Sequence, residues 1–277
     1  MPKFSVIIPT YNREQMLTEA IRSVLDQTIQ DFEIVVVNDG GNVPNVPDDP
    51  RIRILTKTNG GPASARNHGI KAAQGRYVTF LDDDDLYTPD RLALALKGMG
   101  DANVTACSKS YGTAASQDLE RFLNGSGFHT GQFTIDRTVC PLFDESKDLP
   151  PSEDSEWMIR LLPLGINTID EVGYIMRVHP GHQLTDDVQS VGGGRVALFR
   201  IQRDFFRAHP DMVAYQWKWA AASALRQGRR GLARRYFWRA FRAVPSVRNF
   251  ASLLRAVVPY QSRPGETPDV SDPDSRA

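Results

Sequence analysis

The sequence is short of cysteine, of long apolar runs and of net charge, and each shortage excludes something. Cys107 and Cys140 are its only cysteines in 277 residues. Two cysteines cannot build a disulfide framework, and without a CxxC pair they do not supply a structural zinc site of the usual kind. A reducing compartment is expected. No apolar stretch approaches the roughly 20 residues that a spanning helix needs, so an integral helical membrane protein is not expected. The opening MPKFSVIIPTYN is interrupted at Pro9, Thr10 and Asn12, which is too early for a signal-peptide core. Neither GxxxxGK[ST] nor GxGxxG occurs. With 41% hydrophobic and 24% charged residues, 21 Gly and 18 Pro, the composition is that of an ordinary globular protein. Its length suggests one large domain with a small appendage.

The zero net charge conceals a division. Residues 1–194 carry 17 Lys and Arg against 27 Asp and Glu, whereas residues 195–263 carry 15 Lys and Arg against Asp204 and Asp211 alone. An acidic body therefore precedes a basic segment, which suggests an anionic partner for the latter. The tail from about residue 263 is rich in Pro, Asp and Ser and reads as disordered. The expected organisation is 1–190 as the main domain, 191–262 as a basic helical segment and 263–277 as the tail.

Hydrophobic patterning gives the elements. Phe4–Ile8 and Phe32–Val37 are continuous apolar runs, as expected of strands buried on both faces. Between them Leu17, Ala20, Ile21, Val24 and Leu25 recur at helical spacing, with Asn12 as a candidate cap and Gln15 at the capping-box position. Arg51–Leu55 alternates as a third strand. Ala63–Ala73 reads as a helix after the Gly60-Gly61 break, and Tyr77–Leu81 as a fourth strand. Thr88-Pro89 reads as a helix start. Asn103–Tyr111 and Thr130–Val139 are weaker strand candidates. Ser152–Leu162 reads as a helix with an acidic first turn, and the chain from Gly194 onward as helices broken at Pro210, Gly228 and Pro245. Strands alternating with helices predict a parallel sheet covered by helices, with ligands bound beyond the carboxyl ends of its strands. Those ends carry Pro9–Asn12, Asn38–Gly41 and Asp82–Asp85.

The run Asp82-Asp83-Asp84-Asp85 follows an apolar strand directly. Four adjacent carboxylates repel one another unless a cation sits among them, and Mg²⁺ or Mn²⁺ is the natural neutraliser. Asp39 ends the second strand in a sequence that also suits a plain tight turn. Tyr11 suits either stacking on a base or packing on a helix. Arg66 lies near a helix N-terminus, where a phosphate is favoured. Glu153 and Asp154 suit either a general base or a dipole-favoured helix start. His179 and His182 form an HxxH pair that suits a metal ligand or a polar loop equally.

Taken together, these pieces resemble family 2 glycosyltransferases. The segments that carry the resemblance are Ser5-Val-Ile-Ile-Pro-Thr-Tyr-Asn12, Val35-Val-Val-Asn-Asp39, Gly60-Gly-Pro-Ala-Ser-Ala-Arg-Asn67, Tyr77-Val-Thr-Phe-Leu-Asp-Asp-Asp-Asp85 and Phe143-Asp-Glu145 followed by Glu153-Asp154. The resemblance implies an α/β fold of the GT-A type, a Rossmann-like, mostly parallel sheet with helices on both faces, followed by the helical segment. It also implies transfer of one sugar from a nucleoside-diphosphate donor, most often a UDP-sugar, with inversion. Pro9, Thr10 and Tyr11 would then line the base, Asp39 would accept from it, and Arg66 would approach the ribose or diphosphate. Asp82 and Asp84 would be the DxD pair, with Asp82 near the ribose and Asp84 holding Mn²⁺ or Mg²⁺. Asp154 matches the catalytic base, and His179 falls near the metal. The family usually has a small residue second in this run, so Asp83 is counted with the donor-binding residues and Asp83 or Asp85 could share the metal role. The processive members' QxxRW is absent. A nucleotidyltransferase and a sugar-nucleotide-binding scaffold are the alternatives. The expected partners are the donor and a cell-envelope glycan or lipid-linked acceptor.

The basic segment interleaves Trp217, Trp219, Tyr236, Phe237, Trp238 and Phe241 with seven arginines between Arg226 and Arg242. Such a segment suits an anionic bilayer or a helical lid, with RNA as a weaker third choice. The expected location is the cytoplasm, with peripheral contact to the inner face of the membrane.

Overall fold

The computed structural model describes residues 1–100, 102–111, 129–149, 151–177, 188–247 and 249–250. The chain divides into two compact units. The first contains an eight-stranded mixed sheet. Its elements are β1 (Phe4–Thr10), α1 (Glu14–Leu25), β2 (Phe32–Asn38), β3 (Ile52–Thr56), α2 (Pro62–Ala72), β4 (Tyr77–Phe80), β5 (Leu86–Tyr87), α3 (Arg91–Met99), β6 (Val104–Tyr111), β7 (Phe133–Asp136) and β8 (Ile166–Ile175). The strand order is β3-β2-β1-β4-β7-β6-β8-β5. β3, β2, β1 and β4 run parallel, β7 runs antiparallel between β4 and β6, and β8 runs parallel to β6. The sheet is thus of the α/β kind that the sequence predicts.

Period-two alternation sorts the parallel strands between two helix layers. Phe4, Val6 and Ile8, with Ile34 and Val36, join the core made by Leu17, Ala20, Ile21 and Val24 of α1 and Leu92, Ala95 and Met99 of α3. Ile7 faces α2. A Cβ at Gly69 would come within 2.4 Å of the Ile7 side chain, so only glycine lets α2 approach β1 this closely. That approach fixes Arg66 and Asn67 near the sheet.

Three expectations are corrected. Asn12 does not cap α1: it has φ 54°, Arg13 is the N-cap residue, and no side chain bonds the first turn. The helix expected from Thr88-Pro89 starts at Arg91. Thr130–Val139 is not one strand, because Thr130–Gln132 winds into a 3-10 turn before β7.

The second unit takes in Ser146–Glu156 and α5 (Val188–Ile201), α6 (Arg203–Ala208), α7 (Pro210–Arg226) and α8 (Arg230–Ala243). α4 (Glu153–Leu161) begins in this unit and ends in the first. α7 and α8 share a core of Ala214, Trp217, Ala220, Ala221, Ala224, Ala233, Tyr236, Phe237 and Ala240. Small alanines on α7 let the helices approach, and Trp217 stacks on Tyr236 at 5.2 Å across the seam. Arg239 lies over the Trp217 ring at 4.5 Å. Among the described residues, no helix is long and apolar enough to cross a membrane.

Candidate active site

Strand register assembles the site in the first unit. Thr10 pairs with Asn38, and Asn38 with Thr56, so β1, β2 and β3 end in one row. Ile7 pairs with Phe80. The chain beyond β4 therefore runs beside Ile8 and Pro9 and brings Asp83 level with Thr10. Thr10 Oγ1 donates to Asp83 Oδ2 at 2.7 Å. Pro9 and Thr10 are buried, while Tyr11 is exposed, as a residue that stacks on a ligand would be.

Asp39 is held from the loop that follows β3. Lys57 Nζ and the Gly60 amide donate to Oδ1 at 2.6 and 3.0 Å, and the Gly61 amide donates to Oδ2 at 2.7 Å. Gly61 has φ 85°, a conformation that turns its N–H toward the carboxylate and that a side chain disfavours. Lys57 is a site residue that the sequence reading missed. Its signal was register: it follows β3 as Asp39 follows β2.

The acidic run is neutralised by the chain itself. Arg66 Nη2 donates to Asp82 Oδ1 at 2.7 Å. Arg13 Nη1 lies 3.2 Å from Asp83 Oδ1 and 2.5 Å from Asp84 Oδ2. Asp85 accepts from the Tyr174 hydroxyl and, at 2.8 Å, from the Arg177 amide. Arginines and main-chain N–H groups of the chain thus contact the carboxylates of the run. Burial dominates the two inward carboxyls. It pushes Asp83 up to about 6, against the opposing pull of Thr10 and Arg13. It pushes Asp85 up to about 7, reinforced by Asp82 and opposed by Tyr174 and Arg177.

A second layer braces the rim. Asn67 Nδ2 donates to the Phe143 carbonyl at 2.9 Å and to Glu145 Oε1 at 2.7 Å, while its Oδ1 accepts from the Phe143 amide at 2.7 Å. Hydrogen bonding by Asn67 holds the Glu145 carboxyl below its ordinary range, with Ser64, Lys71 and Lys57 adding to the effect. Phe143 stacks on Trp157 at 4.6 Å, and Trp157 meets Phe80 edge-on at 5.4 Å. This aromatic cluster anchors β4 two residues before Asp82.

Asp82 and Asp84 keep part of their carboxylates at the surface, whereas Asp83 and Asp85 are buried. Among the described residues no three His, Cys, Asp or Glu side chains gather into a cage. This donor set fits a hard ion held by one or two carboxylates and completed by phosphate oxygens and water, as Mg²⁺ and Mn²⁺ prefer. It does not fit a closed structural site.

The structure brings together Pro9, Thr10, Tyr11, Asp39, Arg66, Asp82, Asp83 and Asp84. Asp154 lies in the second unit, on the first turn of α4, half-buried beside the buried Glu153. Within that unit Arg195 Nη1 donates to Ser152 Oγ at 3.0 Å, and Gln202 Nε2 to Glu156 Oε1 at 2.8 Å. The helical segment thus fixes the turn that carries Asp154. His179 and His182 lie outside the described residues.

Known proteins are similar to this chain in sequence and in fold. Residues 5–139 match the family model described as glycosyl transferase family 2. A Rickettsia bellii protein named "uncharacterized glycosyltransferase" is 45% identical over 148 residues, 50% of this chain and 21% of that protein. A Campylobacter jejuni GalNAc(5)-diNAcBac-PP-undecaprenol beta-1,3-glucosyltransferase is 44% identical over 94 residues, 31% of this chain and 30% of that one. The chain spans about a fifth to a quarter of the length of the Rickettsia relatives it matches. Among solved structures, the mannosyltransferase PcManGT from Pyrobaculum calidifontis, in complex with GDP-Man and Mn²⁺, superposes with TM-score 0.58 at 19% identity, covering 92% of this chain and 79% of that one. S. aureus TarS 1-349 in complex with UDP-GlcNAc gives 0.54 at 19%, with the same coverage. The fold is that of GT-A glycosyltransferases, and residues 5–139 are similar to glycosyl transferase family 2.

Proposed function

We propose that the chain is an inverting glycosyltransferase that moves one sugar from a nucleoside-diphosphate donor to a hydroxyl acceptor, with Mn²⁺ or Mg²⁺ at Asp84. The observation that carries this reading is the acidic turn leaving β4 at the rim, bonded to Thr10, Arg13 and Arg66. Tyr11 offers an exposed ring for the base, and Asp39 is the carboxylate at the same rim. Neighbours of this fold hold UDP-GlcNAc in one case and GDP-Man with Mn²⁺ in another. A UDP-sugar is the donor we favour.

The reaction breaks the bond from the anomeric carbon to the diphosphate oxygen and forms one to the acceptor oxygen. When bound, the metal neutralises charge that develops on the departing diphosphate. Asp82 and Arg66 hold the donor's ribose and phosphates at the rim. Asp154 accepts the acceptor hydroxyl's proton as that oxygen attacks from the opposite face, so the configuration inverts without a covalent intermediate.

The acceptor we favour is an envelope glycan or a lipid-linked saccharide, in keeping with the name of the Campylobacter relative. A membrane-side acceptor accords with α8. Arg230, Arg234, Arg235, Trp238 and Arg242 are exposed on that helix, and its buried side is Ala233, Tyr236, Phe237 and Ala240. Arginines flanking an exposed tryptophan suit the headgroup region of an anionic bilayer on its cytoplasmic face.

The test is transfer from a panel of UDP-, GDP-, CDP- and dTDP-sugars, read as release of the free nucleotide with and without Mn²⁺. Metal-dependent release with one nucleotide, lost in Asp154→Asn while donor binding persists, is the expected result. Binding without turnover under every condition would favour a scaffold that only holds the sugar nucleotide.

A further inference from the structure

The acidic turn contains a cation of its own, in the place where the bound ion is wanted. Arg13 Nη1 spans Asp83 Oδ1 at 3.2 Å and Asp84 Oδ2 at 2.5 Å. The two carboxylates differ in their other support. Asp83 is buried and also takes the Thr10 hydroxyl on its second oxygen. Asp84 stays partly open to solvent. Arg13 is itself one-third exposed and stands at the N-cap of α1, beside Asn12 in its left-handed conformation. Its guanidinium is therefore tethered at the rim rather than locked in the core.

A guanidinium and a divalent ion on the Asp84 carboxylate compete for the same charge. Two cations a few ångströms apart repel strongly in a partly buried site. An ion that takes Asp84 is therefore opposed by Arg13 and favours its departure. The anion that arrives with the metal is the donor's diphosphate, for which an arginine fork is well shaped.

We propose that Arg13 is an exchangeable counter-ion of the acidic turn, occupying Asp84 while the site is empty and yielding it to the divalent ion as the diphosphate arrives. The proposal rests on the metal reading given above. It makes metal and nucleotide binding cooperative. The metal alone binds weakly because Arg13 competes with it, and the nucleotide relieves that competition by giving Arg13 an anion. The expected coupling lies in the ordinary range for linked sites, about 5- to 150-fold.

The test measures Mn²⁺ binding to the full chain by the electron paramagnetic resonance signal of the free ion, with no sugar donor and no turnover. Arg13→Gln is expected to bind Mn²⁺ alone about 5- to 10-fold more tightly than the wild type, at the lower end of that coupling range. In the same variant, the tightening of Mn²⁺ binding by added UDP or GDP shrinks. Arg13→Lys keeps a cation and is expected to stay near the wild type. Asp84→Asn is expected to lose the site. A gain in affinity cannot arise from misfolding, so the Arg13→Gln result reads the competition directly. Unchanged or weaker Mn²⁺ binding in Arg13→Gln, with binding still lost in Asp84→Asn, overturns the counter-ion role and leaves the metal reading standing. Failure of the wild type and of Arg13→Gln to bind Mn²⁺, with or without nucleotide, overturns both.

Discussion

The rim of the sheet unit and α8 of the second unit use charge in opposite ways. In the sheet unit, Asp39, Arg66, Asp83 and Asp85 are buried and matched by named donors or acceptors. On α8, Arg230, Arg234, Arg235, Arg239 and Arg242 stand at the surface, and residues 212–250 contain no acid at all. Burying an ion costs several kcal/mol unless its partners are already in position. The rim is consequently a preorganised polar site, suited to a small ligand that replaces some of those partners. Exposed arginines need no such partners, and their charge is suited to a broad anionic surface instead. The contrast is the basis for proposing small-ligand chemistry at the sheet and surface recognition at the helices.

The largest expected effects lie at the rim and at α4. Asp154→Asn should lower turnover by about 10²- to 10⁴-fold, the usual share of a positioned base. Asp84→Asn should lower it by a similar factor through loss of charge stabilisation. Both are measured as kcat with saturating donor. Equal loss of donor binding in Asp154→Asn would break the division of roles.

Stability should respond next. Asp39→Ala removes the acceptor of three donors, one of them Lys57, and should cost about 1–3 kcal/mol in urea unfolding. Substitutions of exposed arginines on α8 should stay within about 0.5 kcal/mol.

A smaller effect is the pH dependence of the metal-free protein. Asp83 and Asp85 titrate near 6 and 7 when folded, above the ordinary value of about 3.9 for the unfolded chain. The folded state therefore binds more protons than the unfolded one between these values. Their contribution is full below about pH 4 and is lost as pH rises through 6 and 7. The urea midpoint should fall across that range, and Asp85→Asn should flatten the fall. A midpoint that rises from pH 5 to 8 in both proteins would contradict the burial of these carboxyls.

The mildest change is expected for the double variant Arg234→Glu with Arg235→Glu. It should abolish sedimentation with anionic vesicles at low salt while leaving turnover on a water-soluble acceptor unchanged. Retained sedimentation would remove the surface role of α8.

Much of the rim was legible from sequence, because it depends on local facts. Apolar runs such as Phe4–Thr10 and Phe32–Asn38 mark buried strands, and the polar turns that end them mark the ligand side. What was hidden depends on pairing between distant residues. β8 has a polar, half-exposed pattern along INTIDEVGYI, so no periodicity announces it, yet it supplies the Tyr174 that bonds Asp85. β7 inserts antiparallel between β4 and β6, a choice that no local pattern encodes. Arg13 is an unremarked cation in sequence and becomes the partner of Asp83 and Asp84 only once β1 and β4 are in register. The charge division between residues 1–194 and 195–263, by contrast, is visible from counting alone.

The most direct test of the central claim is calorimetric titration of UDP, GDP, CDP and dTDP into the full chain, each with and without Mn²⁺. One nucleotide that binds, more tightly with Mn²⁺ and not at all with Mn²⁺ in a Asp82→Asn, Asp84→Asn variant, is the predicted result. No binding by any of the four, or binding that the double variant leaves intact, would contradict the assignment of the rim as a nucleoside-diphosphate site.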